Sequence, residues 1–226
     1  RGLANTGTNN LGAGMNINNS LVTLKGVVFR DNEAANGGAL LLQASAGVTV
    51  FEDCVFIGNK ASSQGGAVFV NSNAAAALSF LGCTFQSNAA GAGGAIASVR
   101  AASMSFGPSA ASGSTKFIAN RANTNGGALY RRQDNPTPCT FNFTEFTNNT
   151  VGDPLLSANA AGGAVALQSP FANPNDDLFI DCTFIGNRNT ASPANNRGGA
   201  AVNAADSRLR MLRCVFASNS TGPGSN

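Results

Sequence analysis

The chain contains no histidine and no tryptophan, and its single tyrosine is Tyr130. Without imidazole there is no histidine acid–base chemistry and no histidine-ligated metal. Without indole, and with one phenol, an aromatic platform for stacking sugars is thin. Charge is also scarce, at 11% of residues, for a net charge of +3. The only adjacent basic pair is Arg131-Arg132, so neither nucleic acid nor a membrane surface is implied as a partner. Apolar runs are short: stretches such as Ala74 to Leu78 fall far below the ~18 residues of a bilayer-spanning helix. An initiator methionine and a signal-peptide pattern are lacking, and the repeat described next is under way at both ends. The chain therefore reads as a portion of something longer.

Small and amide side chains, with 27 glycines, fill the space that charge leaves, and they are periodic. Seven times a phenylalanine is followed three residues later by an asparagine: Phe29/Asn32, Phe56/Asn59, Phe85/Asn88, Phe117/Asn120, Phe146/Asn149, Phe184/Asn187 and Phe216/Asn219. A double glycine followed by alanine separates successive pairs, at Gly37, Gly65, Gly93, Gly126, Gly162 and Gly198. A fixed alternation at roughly 30 residues marks a stacked array with one supersecondary unit per repeat. Short β-rich runs surround each motif, as in Val48-Thr49-Val50-Phe51 before the phenylalanine and Ala67-Val68-Phe69-Val70 after the glycines. Amphipathic helices and consensus leucines are missing. The pattern predicts an all-β parallel β-helix of about seven coils with three short strands per coil, running through residues 1–226 as one array.

Alignment on the phenylalanine defines further columns. Five positions earlier stand Leu24, Phe51, Phe80, Phe141, Phe179 and Met211, with Met104-Ser105-Phe106 expected to serve the coil of Phe117 across an insertion. The segment around Gly12-Ala13-Gly14-Met15 reads as a degenerate first double-glycine strand. The phenylalanines should stack inside the rod. The asparagines should form a ladder of side-chain amides, and the paired glycines should make tight corners. Every coil carries these columns, so their expected role is structural.

Phe56-Ile57-Gly58-Asn59 followed by Gly65-Gly66-Ala67-Val68 resembles the repeats of the polymorphic membrane proteins of chlamydiae. The resemblance covers nearly the whole chain. It implies a right-handed parallel β-helix at a cell surface or outside the cell, often adhesive.

Four of the five cysteines, Cys54, Cys83, Cys182 and Cys214, stand two residues before a motif phenylalanine, and they fall in two adjacent-coil pairs. Stacked positions ~4.8 Å apart suit either free thiols acting as small hydrophobes or disulfides. Cys139 has no evident mate. Of four Asn-x-Ser/Thr sequons, Asn18, Asn142 and Asn148 are candidate glycan acceptors, whereas Asn219 belongs to the ladder and should carry none.

The eleven acids form no opposed pair. Asp176, Asp177 and Asp181 are the densest group and could hold Ca²⁺, although a solvated acidic turn is the plainer reading. Arg131 and Arg132 read as surface residues near Asp134. No catalytic residue, metal or cofactor is assigned. Insertions are the better place for recognition. The two longest follow Asn149 and Asn187, at 150–161 and 188–197, on adjacent coils at one corner. Other long turns are 101–114, 131–138 and 169–177. The sequence thus points to a non-enzymatic structural or adhesive segment of a secreted or cell-surface protein. It would display loops to other chains, neighbouring domains or glycans, with scope for higher-order assembly. A polysaccharide-active enzyme or sugar-binding module is the alternative. An ice-binding surface ranks last, because threonine does not recur as a flat outward array.

Overall fold

In the computed structural model the described residues are 12–43, 47–132, 137–152, 160–169, 176–191, 199–205 and 207–222. They form a parallel β-solenoid without helices, of about six turns with about four strands per turn. The predicted architecture is present, with about six turns where about seven were expected and one strand more per turn than expected. The extra strand follows each asparagine (Glu33–Asn36, Lys60–Gln64, Ala89–Ala92, Arg121–Asn125, Thr150–Val151, Arg188–Asn189, Ser220–Thr221). In the first three coils its sequence is dominated by Ala, Ser, Asn, Gln and Gly, without the β-branched residues that advertise a strand.

Four stacks of strands make the walls. The phenylalanine sheet contains Val28–Arg30, Val55–Ile57, Thr84–Gln86, Lys116–Ile118, Glu145–Thr147, Thr183–Ile185 and Val215–Ala217, paired in register throughout. The post-asparagine sheet is the second. The third and fourth lie after the glycines and before the phenylalanine. Val68–Leu81 and Ile96–Gly107 run continuously through both of these, joining them into one twelve-stranded sheet. Met15 pairs with Leu40 and Gly12 has φ 59°, so the degenerate first coil is real.

Two aromatic columns fill the interior. Rings from Phe29 through Phe216 stack with centroids 4.7–5.0 Å apart. Beside them Phe51, Phe80, Phe106, Phe141 and Phe179 stack at 4.2–5.1 Å. Phe106 pairs with Phe80 and Phe141, so the strand expected across the insertion is in place. Rings of the two columns meet edge-on, as at Phe80 and Phe85 (5.7 Å, 69°), an arrangement that favours the ring quadrupoles.

The double glycine does two different jobs. The first glycine sits in the left-handed region, as at Gly65 (φ 64°) and Gly93 (φ 63°), except in the last coil, where the register shifts by one and Gly199 (φ 62°) takes that position ahead of Ala200. The second lies where two walls meet backbone to backbone: a β-carbon on Gly94 would run into the carbonyl oxygens of Gly127 and Arg121. This closeness turns the post-glycine strand back on the post-asparagine strand. Outward-pointing Leu41, Phe69, Ala97, Tyr130 and Ala166 are buried with Ala92 in a second small cluster there. Such strands are covered on both faces, which accounts for the unbroken apolar run Leu40-Leu41-Leu42.

Candidate functional site

The asparagine ladder is continuous from Asn32 to Asn219. Each Nδ2 donates to the Oδ1 of the next coil's asparagine at 2.9–3.0 Å. That Oδ1 also accepts the preceding asparagine's backbone N–H at 2.9–3.1 Å. The remaining Nδ2 hydrogen goes to the phenylalanine carbonyl one coil back, as from Asn120 to Phe85 at 2.9 Å. Both donors and both acceptor sites of a mid-ladder amide are thereby occupied, leaving nothing for a ligand. Asn219 donates through Nδ2 to the Phe184 carbonyl at 2.9 Å and accepts from Asn187.

Two residues before each phenylalanine the column reads Val27, Cys54, Cys83, Thr115, Thr144, Cys182, Cys214. All five cysteines of the chain are free thiols. The four in this column donate to the carbonyls of the bend, for example Cys83 to Phe51 at 3.4 Å and Cys182 to Ile180 at 3.3 Å. Thr115 does the same with its hydroxyl, reaching the Gly107 carbonyl at 2.8 Å. Cysteine and threonine are therefore interchangeable donors at one corner. Ionisation of the first pair falls on Cys54, which the Cys83 S–H holds down at about 7; the same contact, with burial, pushes Cys83 up. Burial pushes Cys182 up to about 12 and raises Cys139 as well.

The acids disperse. Asp176 faces Arg208 at 3.7 Å, and Asp181 accepts from Arg213 Nε and Nη2 at 2.7 Å each. Asp181 is held below its usual value by that hydrogen bond. Asp177 points inward, fully buried, onto Arg131 Nη1 and the Cys139 backbone N–H. Burial raises its pKa, with Arg131 opposing the rise. Arg131 is thus a core residue clamped to Asp177 and the Thr137 carbonyl, which corrects the surface reading; Asp134 lies outside the described residues. The smaller Ser98 precedes Arg131 in the same inward column and gives it room. No sequence signal marked this pair, because an arginine and an aspartate 46 residues apart meet only through the register of two sheets. Three carboxylates that face three different ways do not form a cation site, and no group of metal-ligating residues occurs among the described residues.

Of the glycan candidates, Asn18 and Asn148 are exposed and Asn142 is half-buried. Asn148 occupies a left-handed corner at φ 55°. The Thr144 hydroxyl of the Asn142 sequon is buried in the cysteine–threonine column, donating to the Asn142 carbonyl at 3.1 Å.

The insertions start from firm roots. Those after Asn149 and Asn187 emerge side by side: Val151, Ala160 and Ala191 pack with Ala122, and Asn189 Nδ2 donates to the Ala160 carbonyl at 3.1 Å. Their tips, 153–159 and 192–198, lie outside the described residues, as do parts of the turns at 131–138 and 169–177. The insertion at 108–114 is described. Its Ser109 and Gly113 bridge one another, and Ser109 Oγ donates to Asp53 over Gly82, whose missing side chain leaves the space. That bond, with Ser112, keeps Asp53 below its usual pKa. One coil further on, in the slot that holds Gly26, Asp53, Gly82, Asp181 or Arg213 elsewhere, stands Phe143, at φ 45° and 53% exposed. A bulky residue in the left-handed region carries strain.

A concavity of about 560 Å³ opens at the C-terminal end, lined in part by Val202, Leu209, Met211, Phe216 and Asn219. It lies at the last described coil of the stacked columns, and no ionisable group lines it.

No curated protein and no solved structure matches the chain significantly. Residues 53–71 match the Chlamydia polymorphic membrane protein repeat. The matched span contains both motifs, from Phe56/Asn59 through Gly65-Gly66-Ala67. Such a repeat on a β-solenoid fits a segment of a cell-surface protein. The same two motifs alternate from Phe29 to Asn219, so the matched span is one unit of a β-solenoid whose coils share a pattern consistent with polymorphic membrane protein-type repeats.

Proposed function

We infer that the chain is a non-enzymatic structural and adhesive segment of a surface protein, a stiff rod that holds loops out to other proteins or glycans. The observation that carries this reading is where the polar chemistry goes. The ladder amides, the corner thiols and the Arg131–Asp177 pair are all consumed inside the rod by neighbouring coils. What varies from coil to coil is the corner insertions, and the two longest rise from one packed root. A rigid scaffold with variable loops is the usual division of labour in binding proteins.

The test is adhesion of beads coated with the 226-residue chain to cultured cells and to immobilised glycans. Shortening both insertions at their tips, within 153–159 and 192–197, should leave thermal unfolding unchanged and lower adhesion severalfold. Undiminished adhesion would remove the loops from the reading, and no adhesion by the intact chain would remove the adhesive role.

A further inference from the structure

The outer face of the phenylalanine sheet is in register across seven rungs, and one of its two outward columns is symmetric about its centre over six of them. The residue before each phenylalanine is, in order, Val28, Val55, Thr84, Lys116, Glu145, Thr183 and Val215. From the second rung onward this is Val-Thr-Lys followed by Glu-Thr-Val. Lys116 and Glu145 sit at its centre, each about two-fifths exposed, with 3.9 Å between Lys116 Nζ and Glu145 Oε1. That exposed contact is loose and worth little by itself. The residue after each phenylalanine is Arg30, Ile57, Gln86, Ile118, Thr147, Ile185 and Ala217, apolar or neutral on every rung but the first.

We propose that this face pairs with the same face of a second copy, the rods antiparallel, about a two-fold axis that runs along the strands between the Lys116 and Glu145 rungs. Rotation about that axis preserves strand direction and lays each column on its own copy. Lys116 then faces Glu145 of the partner subunit, Thr84 faces the partner's Thr183, and Val55 faces the partner's Val215. Such a contact is isologous and closes at two copies. In the second column Ile118 meets the partner's Thr147 and Gln86 meets the partner's Ile185. A two-fold axis along the rod would instead set Lys116 on the partner's Ile118, burying a charge against an apolar side chain.

The borders of the face allow the approach. At the corner after the phenylalanine the overlapping rungs carry only Gly58, Ser87, Ala119, Asn148, Gly186 and Ser218. At the other corner, the rung of the 108–114 insertion lies opposite the rung of the partner's Phe143. The insertion itself folds back over Gly82 onto Asp53, which turns it toward the rungs of the partner's Asp181 and the partner's Arg213. The rungs of Asp53 and the partner's Arg213 also coincide, with opposite charge. Six overlapping rungs, ~4.8 Å apart and about five residues wide, bury roughly 900 Å² in total, the size of a weak or transient interface. The pairing does not depend on what the loops contact.

Sedimentation velocity of the 226-residue chain from about 10 µM to about 1 mM, the range for an interface of that size, should show a reversible dimer that weakens with salt. K116E and E145K should each weaken it by about tenfold or more, because like charges then meet across the two-fold axis. The double variant K116E/E145K should dimerise like the parent. The decisive arm is an equimolar mixture of the two single variants. In that heterodimer the two substituted positions face one another with opposite charge, and so do the two unsubstituted ones. The mixture should therefore associate although neither variant does alone. Unchanged melting temperatures keep these results apart from misfolding. A chain that stays monomeric throughout overturns the proposal, as do single variants that dimerise as well as the parent or a mixture no better than its components.

Discussion

Phe184 and Phe216 occupy the same slot in consecutive coils and stack on one another at 4.7 Å, yet Phe184 is fully buried and Phe216 is 49% exposed. The same contrast holds for their neighbours. Asn187 is buried with donors and acceptors occupied, whereas Asn219 is half-buried; Cys182 is buried, whereas Cys214 is half-buried. The local sequence is nearly the same in the two coils, so the motif by itself buries nothing. Each coil is roofed by the next, and stability in such an array is a sum of nearest-neighbour interfaces. Substitutions in matched slots of the middle and of the last coil separate what the motif contributes from what the neighbour contributes.

The largest gap is expected in the aromatic column. Phe117→Ala removes a ring stacked between Phe85 and Phe146 and should cost about 4 kcal/mol in urea denaturation. Phe216→Ala, with one stacked neighbour and half its surface already wet, should cost about 1–2 kcal/mol. Equal costs would mean that the roofing argument is wrong. The ladder gives a second matched pair. Asn120→Ala strands the backbone N–H and one Nδ2 hydrogen of Asn88 and the Phe85 carbonyl, three buried groups, for roughly 3 kcal/mol or more. Asn219→Ala leaves groups that water reaches and should cost about 1 kcal/mol.

The aspartates sharpen the comparison in electrostatic terms. Asp177→Ala takes the buried acceptor away from Arg131 Nη1 and the Cys139 N–H and should cost about 3 kcal/mol. Asp181→Asn, at the exposed pair linking the last two coils, should leave the midpoint at neutral pH nearly unchanged. Their pH signatures run in opposite directions. Arg213 lowers the folded pKa of Asp181, so its small contribution is present above the ordinary aspartate range and is lost as pH falls through the folded value. Burial raises the folded pKa of Asp177, so the folded state binds the proton more readily. Its part in stability improves as pH falls through that raised value. Below the carboxylate range the parent and Asp181→Asn should converge. The loss caused by Asp177→Ala should instead be largest at acid pH, where the parent has gained from protonation and still presents a carboxyl acceptor.

Much of this was legible in the sequence because a solenoid writes its registers as columns. The phenylalanine and asparagine ladders, Phe106 across its insertion and the hidden coil at Gly12 all followed from aligning on one residue. The fourth strand was missed because Lys60-Ala61-Ser62-Ser63-Gln64 has no strand composition; its conformation is imposed by pairing with the coils on either side. The Arg131–Asp177 pair was missed for the opposite reason. It breaks the columns, and a charge in an inward slot looks in sequence like a charge on a surface. The exposed Phe143 sits in a slot where glycine or a polar residue is the rule, so a search for departures at that slot would have found it.

The thiols give the smallest effect and the cleanest readout, since it needs no substitution. Reactivity requires both a thiolate and access. Cys54 has the lower pKa of its pair, but its side chain is sealed beneath the bend with Cys83, and Cys139 and Cys182 are equally closed off. Cys214 sits in the same column on the last described coil and is half-buried. Brief treatment of the native chain with iodoacetamide at neutral pH, followed by peptide mass analysis, should therefore label Cys214 well ahead of the other four, and all five should label after unfolding. Fast labelling of Cys54 would show that its thiolate character outweighs burial, and that the middle coils open as readily as the last. A mass two units lower per pair before reduction would place disulfides at Cys54–Cys83 or Cys182–Cys214. The column would then be a covalent strut, and the thermal difference between its reduced and oxidised forms would measure how much one coil's fixed position steadies the next.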